Sequence, residues 1–236
     1  LNSFAEIGLA AGTTPLIQPT ETIDAQDTTA IAAAEASNAA RAVALDDGAS
    51  VNYLNGAARN QALPYLSPTN PIRVGSRPTF TQPVIMEFRN STWKFQPRTR
   101  LTAADTAPAT FTNTRTANAA PRNVGGDLQV ATFNVLNYFP TTGTEWIDEA
   151  GASCTPFTDR QSNPITVSSC DPEGPRGAWN AANLERQEIK IVKGIIGTGA
   201  EVVALEEIEN SARFGKDRDF AVGELVDTLN EVAGAG

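Results

Sequence analysis

Between residues 128 and 135 the chain alternates strictly. Leu128, Val130, Thr132 and Asn134 fall on one side, and Gln129, Ala131, Phe133 and Val135 on the other. A period of two in β-branched and aromatic residues predicts a strand through Leu136. From Ala181 to Thr198 the period changes to that of a helix. Leu184, Ile191, Val192, Ile195 and Ile196 share one face, with Glu185, Arg186, Lys190 and Lys193 largely off it. Asn180 is the predicted N-cap, and Gly197 and Gly199 mark the stop. Glu201–Leu205 is a short apolar run that predicts a buried strand ending in Glu206-Glu207-Ile208-Glu209-Asn210. A last helix over 220–232 carries Phe220, Leu225, Val226, Leu229 and Val232 inward. Strand, crossover, helix and strand make a βαβ unit with two parallel neighbours. Asn134 and the Glu206/Glu207 pair then lie at the same, C-terminal edge. Adjacent carboxylates on a strand point to opposite faces, so only one of the two faces the site. Asn134 there is a candidate ligand for a metal or substrate, or else bonds local backbone as the strand turns.

The first half reads as a small β-rich unit. Phe4–Leu9, Leu16–Thr20, Ala42–Leu45, 72–75, 84–88 and 92–97 are expected strands. The alanine-rich run 29–41 is an expected helix capped by Asp27 or Thr28. Asp46-Asp47-Gly48 has the chemistry of a hairpin-type turn. Residues 102–126 are Thr, Ala, Asn and Pro with little periodicity, which predicts a linker. The domains expected are therefore 1–101, a linker over 102–126, and 127–236.

Residues 140–175 read as a long loop that holds the only two cysteines, Cys154 and Cys170. No second cysteine pair or histidine is present to complete a zinc site. A disulfide is the favoured reading, with two unrelated buried thiols as the alternative. The bond implies an oxidising compartment. No run approaches the ~20 apolar residues of a membrane span. The N-terminus has neither Met nor a signal-like h-region, so a processed or trimmed start is expected.

The net charge of −9 is unevenly distributed. Residues 1–125 hold ten Arg and Lys against nine Asp and Glu, and residues 126–236 eight against eighteen. An acidic half disfavours binding polyanions by charge alone. It leaves room for a divalent cation that bridges carboxylates to phosphate. Histidine is absent, so acid–base chemistry within these residues falls to carboxylates.

Ala131-Thr132-Phe133-Asn134-Val135 followed by Val203-Ala204-Leu205-Glu206-Glu207-Ile208 resembles the first two motifs of the endonuclease/exonuclease/phosphatase superfamily, which includes deoxyribonuclease I. Phe133–Phe139, Arg176-Gly177-Ala178, Glu185-Arg186-Gln187 and Glu207–Asn210 look more specifically like the ExeM/NucH-type secreted bacterial nucleases. The resemblance covers about 127–236, and the first half resembles the OB-like β module that precedes the catalytic domain in that group. It implies an α/β sandwich, of which this chain would hold the N-terminal half. Glu207 would bind the divalent metal, Mg²⁺ first, with Mn²⁺ or Ca²⁺ as alternatives. Asn134 would lie near metal and scissile phosphate, and Glu206 would fill the polar position before the ligand. Arg176 and Asn137 become candidate phosphate contacts, although an ordinary loop-anchoring ion pair would equally explain Arg176. The superfamily's two histidines and further Asp and Asn residues have no counterpart here, so a fragment of a longer secreted nuclease is expected. The substrate implied is DNA, with RNA as the alternative. Two other readings stay open, a phosphatase of the same superfamily and a non-catalytic secreted module that binds nucleic acid or cell-wall polymer.

Overall fold

A computed structural model describes residues 2–234. The chain divides into two units, 1–118 and 119–236, and each mixes helices with sheets.

The first unit is built on β1 (Ile7–Ala10), α1 (Thr28–Arg41), β2 (Ala42–Leu45), β3 (Pro78–Phe80), β4 (Ile85–Arg89), β5 (Thr92–Gln96) and β6 (Ala109–Phe111). Asp27 caps α1 by accepting the Ala30 amide at 3.0 Å, which supplies one of the acceptors a helix start lacks. The main sheet runs β1-β2-β5-β4, antiparallel except where β2 lies parallel to β5. Ile7, Leu45, Ala109 and Phe111 form its core. Asp46-Asp47-Gly48 does not turn a hairpin, because β2 is inserted between β1 and β5. Its carboxylates are buried acceptors instead. Asp46 takes the Lys94 ammonium at 3.1 Å and Asp47 the Tyr53 hydroxyl at 2.8 Å.

Two expected strands are absent. Pro19, with no amide to give a ladder, opens a 3₁₀ turn over Pro19–Glu21, and residues 72–75 run between Pro71 and a Gly75 at φ +83° without pairing. The expected linker 102–126 contributes β6, which pairs with β3. Three residues with alternating burial are too short a signal to stand out from their Thr- and Ala-rich surroundings.

The second unit contains β7 (Val130–Tyr138), α2 (Gly143–Ala150), β8 (Ser153–Thr158), β9 (Pro164–Asp171), α3 (Ala181–Thr198), β10 (Val202–Ile208) and α4 (Phe220–Ala233). β7 and β10 are parallel neighbours, as the βαβ pattern predicts. Val135, Tyr138, Ile191, Val192, Ile195 and Leu225 make the core beneath them. Ile196, Val226 and Val232, expected inward, are each 43% exposed. The inward stripe of α4 is Ala221, Leu225 and Leu229, spaced by four, and Val226 lies about 100° around from it. The outer face of the β7/β10 pair is open, with Val130, Leu136 and Val202 exposed.

Residues 140–175 are not a loop. Thr142 and Glu145 form a capping box that starts α2, and β8 and β9 form an antiparallel hairpin. Its strands carry prolines, serines and threonines rather than a regular apolar alternation, which hid them. Cys154 pairs with Cys170 across the hairpin and is bonded to it, S–S 2.01 Å.

Candidate functional site

The C-terminal edge of the parallel pair departs from regular strand geometry in both strands. Leu205 pairs with Phe133 and Glu206 with Asn134, and the register then shifts before Ile208 meets Tyr138. Leu136, Asn137 and Glu207 sit at φ +51°, +52° and +63°. The left-handed region costs an L-residue about 1–2 kcal/mol, so the surroundings must hold these residues there. Several contacts do so. Asn134 Oδ1 accepts the Leu136 amide at 2.8 Å, and Gln187 Nε2 of α3 donates to the Leu136 carbonyl at 2.9 Å. The buried Tyr138 hydroxyl donates to Glu188, and the Glu209 amide donates to the Tyr138 carbonyl at 3.0 Å. Burial, then the Glu188 carboxylate, push the Tyr138 phenol far above its ordinary pKa. Asn134 therefore does make the local backbone bond that the turn chemistry allowed, and it does so at an exposed position on the open face.

The bulge also overturns the alternation argument for the carboxylates. Leu205 and Ile208 both pack against the core although they are three residues apart. The extra residue resets the parity, so Glu206 and Glu207 both lie on the solvent side and both are exposed. Glu206 is moreover the register partner of Asn134. Glu209 belongs to a different role. It is buried, and its oxygens accept the Thr141 amide at 3.0 Å and the Ser211 hydroxyl at 2.7 Å.

The donors at the edge are thus two carboxylates and a carboxamide, all hard oxygens, and among the described residues no group of three acidic, His or Cys side chains gathers there. Such a set fits a Mg²⁺-like ion, which binds through one or two carboxylates and keeps much of its water. It does not fit a cation that requires a closed protein cage.

Beside Asn134 opens a cavity of about 410 Å³. Its lining is largely apolar, with Phe133, Ile165 and Ile191 among it, and three cations also line it, Arg176, Arg186 and Lys190. No carboxylate is among the lining residues. Arg176 makes no ion pair among the described residues and lies 6.0 Å from the centre of the Phe139 ring. Its backbone is well fixed. The Gly177 carbonyl accepts the Val167 amide at 3.0 Å, and the Trp179 amide donates to Ile165 at 3.1 Å. Gly177 admits this approach because a Cβ there would stand 2.6 Å from Phe139 Cβ and 2.9 Å from the Asn137 carbonyl. Arg186 is oriented by Asn183, whose Oδ1 accepts from Nη2 at 2.5 Å.

Of the expected site residues, Asn134 joins the edge to the cavity, Arg176 lines the cavity, and Asn137 lies in the bulge with its carbonyl turned to Gln187 at 3.4 Å. Sequence reasoning quotes Arg186 and Gln187 in a motif and places Lys190 off the apolar face of the helix, but assigns none of the three to the site. The i, i+4 spacing of Arg186 and Lys190 on a helix was the available signal. No family model, curated protein or solved structure matches the chain.

Proposed function

We propose that the chain forms part of a secreted, metal-dependent phosphodiesterase of the endonuclease/exonuclease/phosphatase type that acts on DNA, with an OB-like module over 1–101. The observation that carries this reading is that Asn134, the register partner of Glu206 at the Glu206/Glu207 edge, also lines a carboxylate-free cavity with three cations. Glu207, with Asn134 at the same strand edge, would hold the metal, which would supply charge neutralisation for the phosphate and a more acidic water. Arg176, Arg186 and Lys190 attract and orient the phosphodiester by charge-assisted bonds. Gln187 keeps the edge in shape. Without histidine, proton transfer belongs to carboxylates or to residues outside these 236. The open face of the parallel pair supports a sandwich whose second layer is not among the described residues, since parallel sheets are ordinarily covered on both sides. The disulfide and the lack of any described helix long and apolar enough to cross a membrane suit an extracellular location.

Mn²⁺ titration followed by water-proton relaxation, together with cleavage of a quenched DNA duplex, tests the proposal. Mn²⁺ should bind and be displaced by Mg²⁺, and the 236 residues alone should cut DNA no faster than a chelator control. Failure to bind Mn²⁺ with or without DNA overturns the metal-dependent reading and leaves a non-catalytic binding module. Chelator-sensitive nicking would assign proton transfer to the carboxylates of these residues.

A further inference from the structure

The second unit is strongly acidic, with nine Arg and Lys against eighteen Asp and Glu in 119–236. Three of those nine cations nevertheless converge on one cavity free of carboxylates. That concentration is a local reversal of the unit's charge, and it has a specific shape. Arg176 comes from the loop before α3, and Arg186 and Lys190 come from successive turns of α3, while Phe133, Ile165 and Ile191 are among the apolar residues that line the same cavity. A site for inorganic phosphate alone needs donors and no apolar lining. An apolar lining shared with cations suits an anion that carries a planar, weakly hydrated body. Its volume of about 410 Å³ falls within the ~300–1,000 Å³ range of small-molecule sites. Asn134 and Gln187, also among the lining residues, add carboxamides, each with a donor and an acceptor, that suit the edge of any base.

We infer that this cavity is a nucleotide subsite, with the base of one nucleotide resting on Phe133, Ile165 and Ile191 and its phosphate between Arg176 and the Arg186/Lys190 pair. The inference rests on the phosphodiesterase reading and deepens it. Asn134 lies in both places, so a nucleotide seated here delivers its neighbouring phosphodiester to the Glu206/Glu207 edge. Base stacking on apolar side chains is tolerant of sequence, so the subsite sets the register of the strand rather than its sequence preference. It also requires the base to be out of a duplex stack, which favours single-stranded or frayed substrate.

The test is binding without catalysis, in EDTA, by calorimetry on the 236-residue protein. The probes are thymidine monophosphate, inorganic phosphate, octanoate and a thymidine hexanucleotide. Thymidine monophosphate should bind at least tenfold more tightly than inorganic phosphate or octanoate. Lys190→Gln and Arg186→Gln should weaken the hexanucleotide threefold or more, and each should reduce its log K versus log salt slope by about 0.7. Lys193→Gln, on the same helix outside the cavity, should change neither. Ile165→Ser should reduce the preference for the mononucleotide over inorganic phosphate while leaving the salt slope in place, and Lys190 is exposed, so its variant keeps the fold testable. Equal affinity for phosphate or octanoate overturns the nucleotide assignment. Equal losses in Lys193→Gln and Lys190→Gln overturn the cavity as the place of binding. Nucleotide binding without any Mn²⁺ binding refutes the hydrolase reading and spares the subsite. Mn²⁺ binding with no nucleotide binding does the reverse.

Discussion

Leu136 is the residue on which the site's geometry is most exposed to test. Its side chain is 74% exposed and its φ is +51°, so it gains little from burial while bearing the left-handed cost. Leu136→Gly removes that cost but loosens the unfolded chain, which gives some of the gain back. The expected net effect is stabilisation of about 0.5–1 kcal/mol, read as a higher urea midpoint with unchanged slope. A loss of stability would mean that Leu136 is held by packing rather than tolerated. Glu206 and Glu207 are decided at the same scale. Glu207→Gln should weaken Mn²⁺ binding tenfold or more, since it removes a charge at a cation that takes only one or two carboxylates. Because the bulge turns both carboxylates outward, Glu206→Gln should also weaken it, by a smaller factor. A silent Glu206→Gln alongside a dead Glu207→Gln would show that the shared solvent face does not make a shared ligand set. The strand residues themselves could be read from alternation, but φ at residue 207 could not. One left-handed residue shifts every side chain after it to the other face, and nothing in a Glu-Glu-Ile sequence signals that.

At the scale of elements, long periodic segments were legible and short composite ones were not. α3 announces itself over eighteen residues with an Asn180 cap, and β7 and β10 by their apolar runs. The βαβ connection then fixes parallel pairing with almost no freedom. The hairpin of β8 and β9 stayed hidden because proline at 156 and 164 and the polar run between them look like loop chemistry. A capping box was present at Thr142 and Glu145, yet it preceded only eight residues of helix. The hairpin matters to the site because β9 carries Ile165 into the cavity lining and hydrogen-bonds to the segment bearing Arg176. Its disulfide closes a loop of fifteen intervening residues. Breaking it with Cys154→Ser plus Cys170→Ser should lower stability by up to about 3 kcal/mol, less to the extent that the ladder alone holds the strands together. The same variant should weaken the hexanucleotide, because Arg176 loses its anchored backbone. Unreduced, denatured wild-type protein should show no titratable thiol, and two thiols would contradict the bond.

Over the whole chain, the distribution of ionisable groups makes an alkaline prediction sharper than an acid one. The chain has three tyrosines, Tyr53, Tyr65 and Tyr138, and all three are shifted the same way. Burial, then the hydrogen bond to Asp47, push Tyr53 to about 12, against only a small opposing pull from Arg100. Burial raises Tyr65 further, with Asp47 and Asp46 adding to it, and burial plus Glu188 raises Tyr138 most of all. At the acid end the shifts partly oppose each other. Burial raises both members of the Asp46/Asp47 pair, but the Gly48 amide and Lys94 bring Asp46 below its ordinary value while Asp47 stays above. Stability from Asp46 is lost as pH falls and that from Asp47 as pH rises, while Asp105, Asp159 and Asp219 are lowered in the same direction as Asp46 by local hydrogen bonds. For the tyrosines the sign is common. A folded-state pKa above the unfolded value of about 10 means that the unfolded chain loses its protons first. Their contribution is complete below pH about 10 and is lost as pH rises through the folded values. Tyr53 alone accounts for roughly 2 kcal/mol of that loss by pH about 12, at 1.36 kcal/mol per unit. The near-ultraviolet phenolate absorbance of the folded protein should therefore stay flat through pH about 11, then rise as each unit unfolds, Tyr53 and Tyr65 with the first and Tyr138 with the second, together with loss of the far-ultraviolet helix signal. Urea sufficient to unfold both units at pH about 11 should make all three phenols ionise. A gradual rise centred near pH 10 in the folded protein, with the helix signal intact, would mean that these rings are reached by solvent and would remove the packing described around Tyr53 and Tyr138.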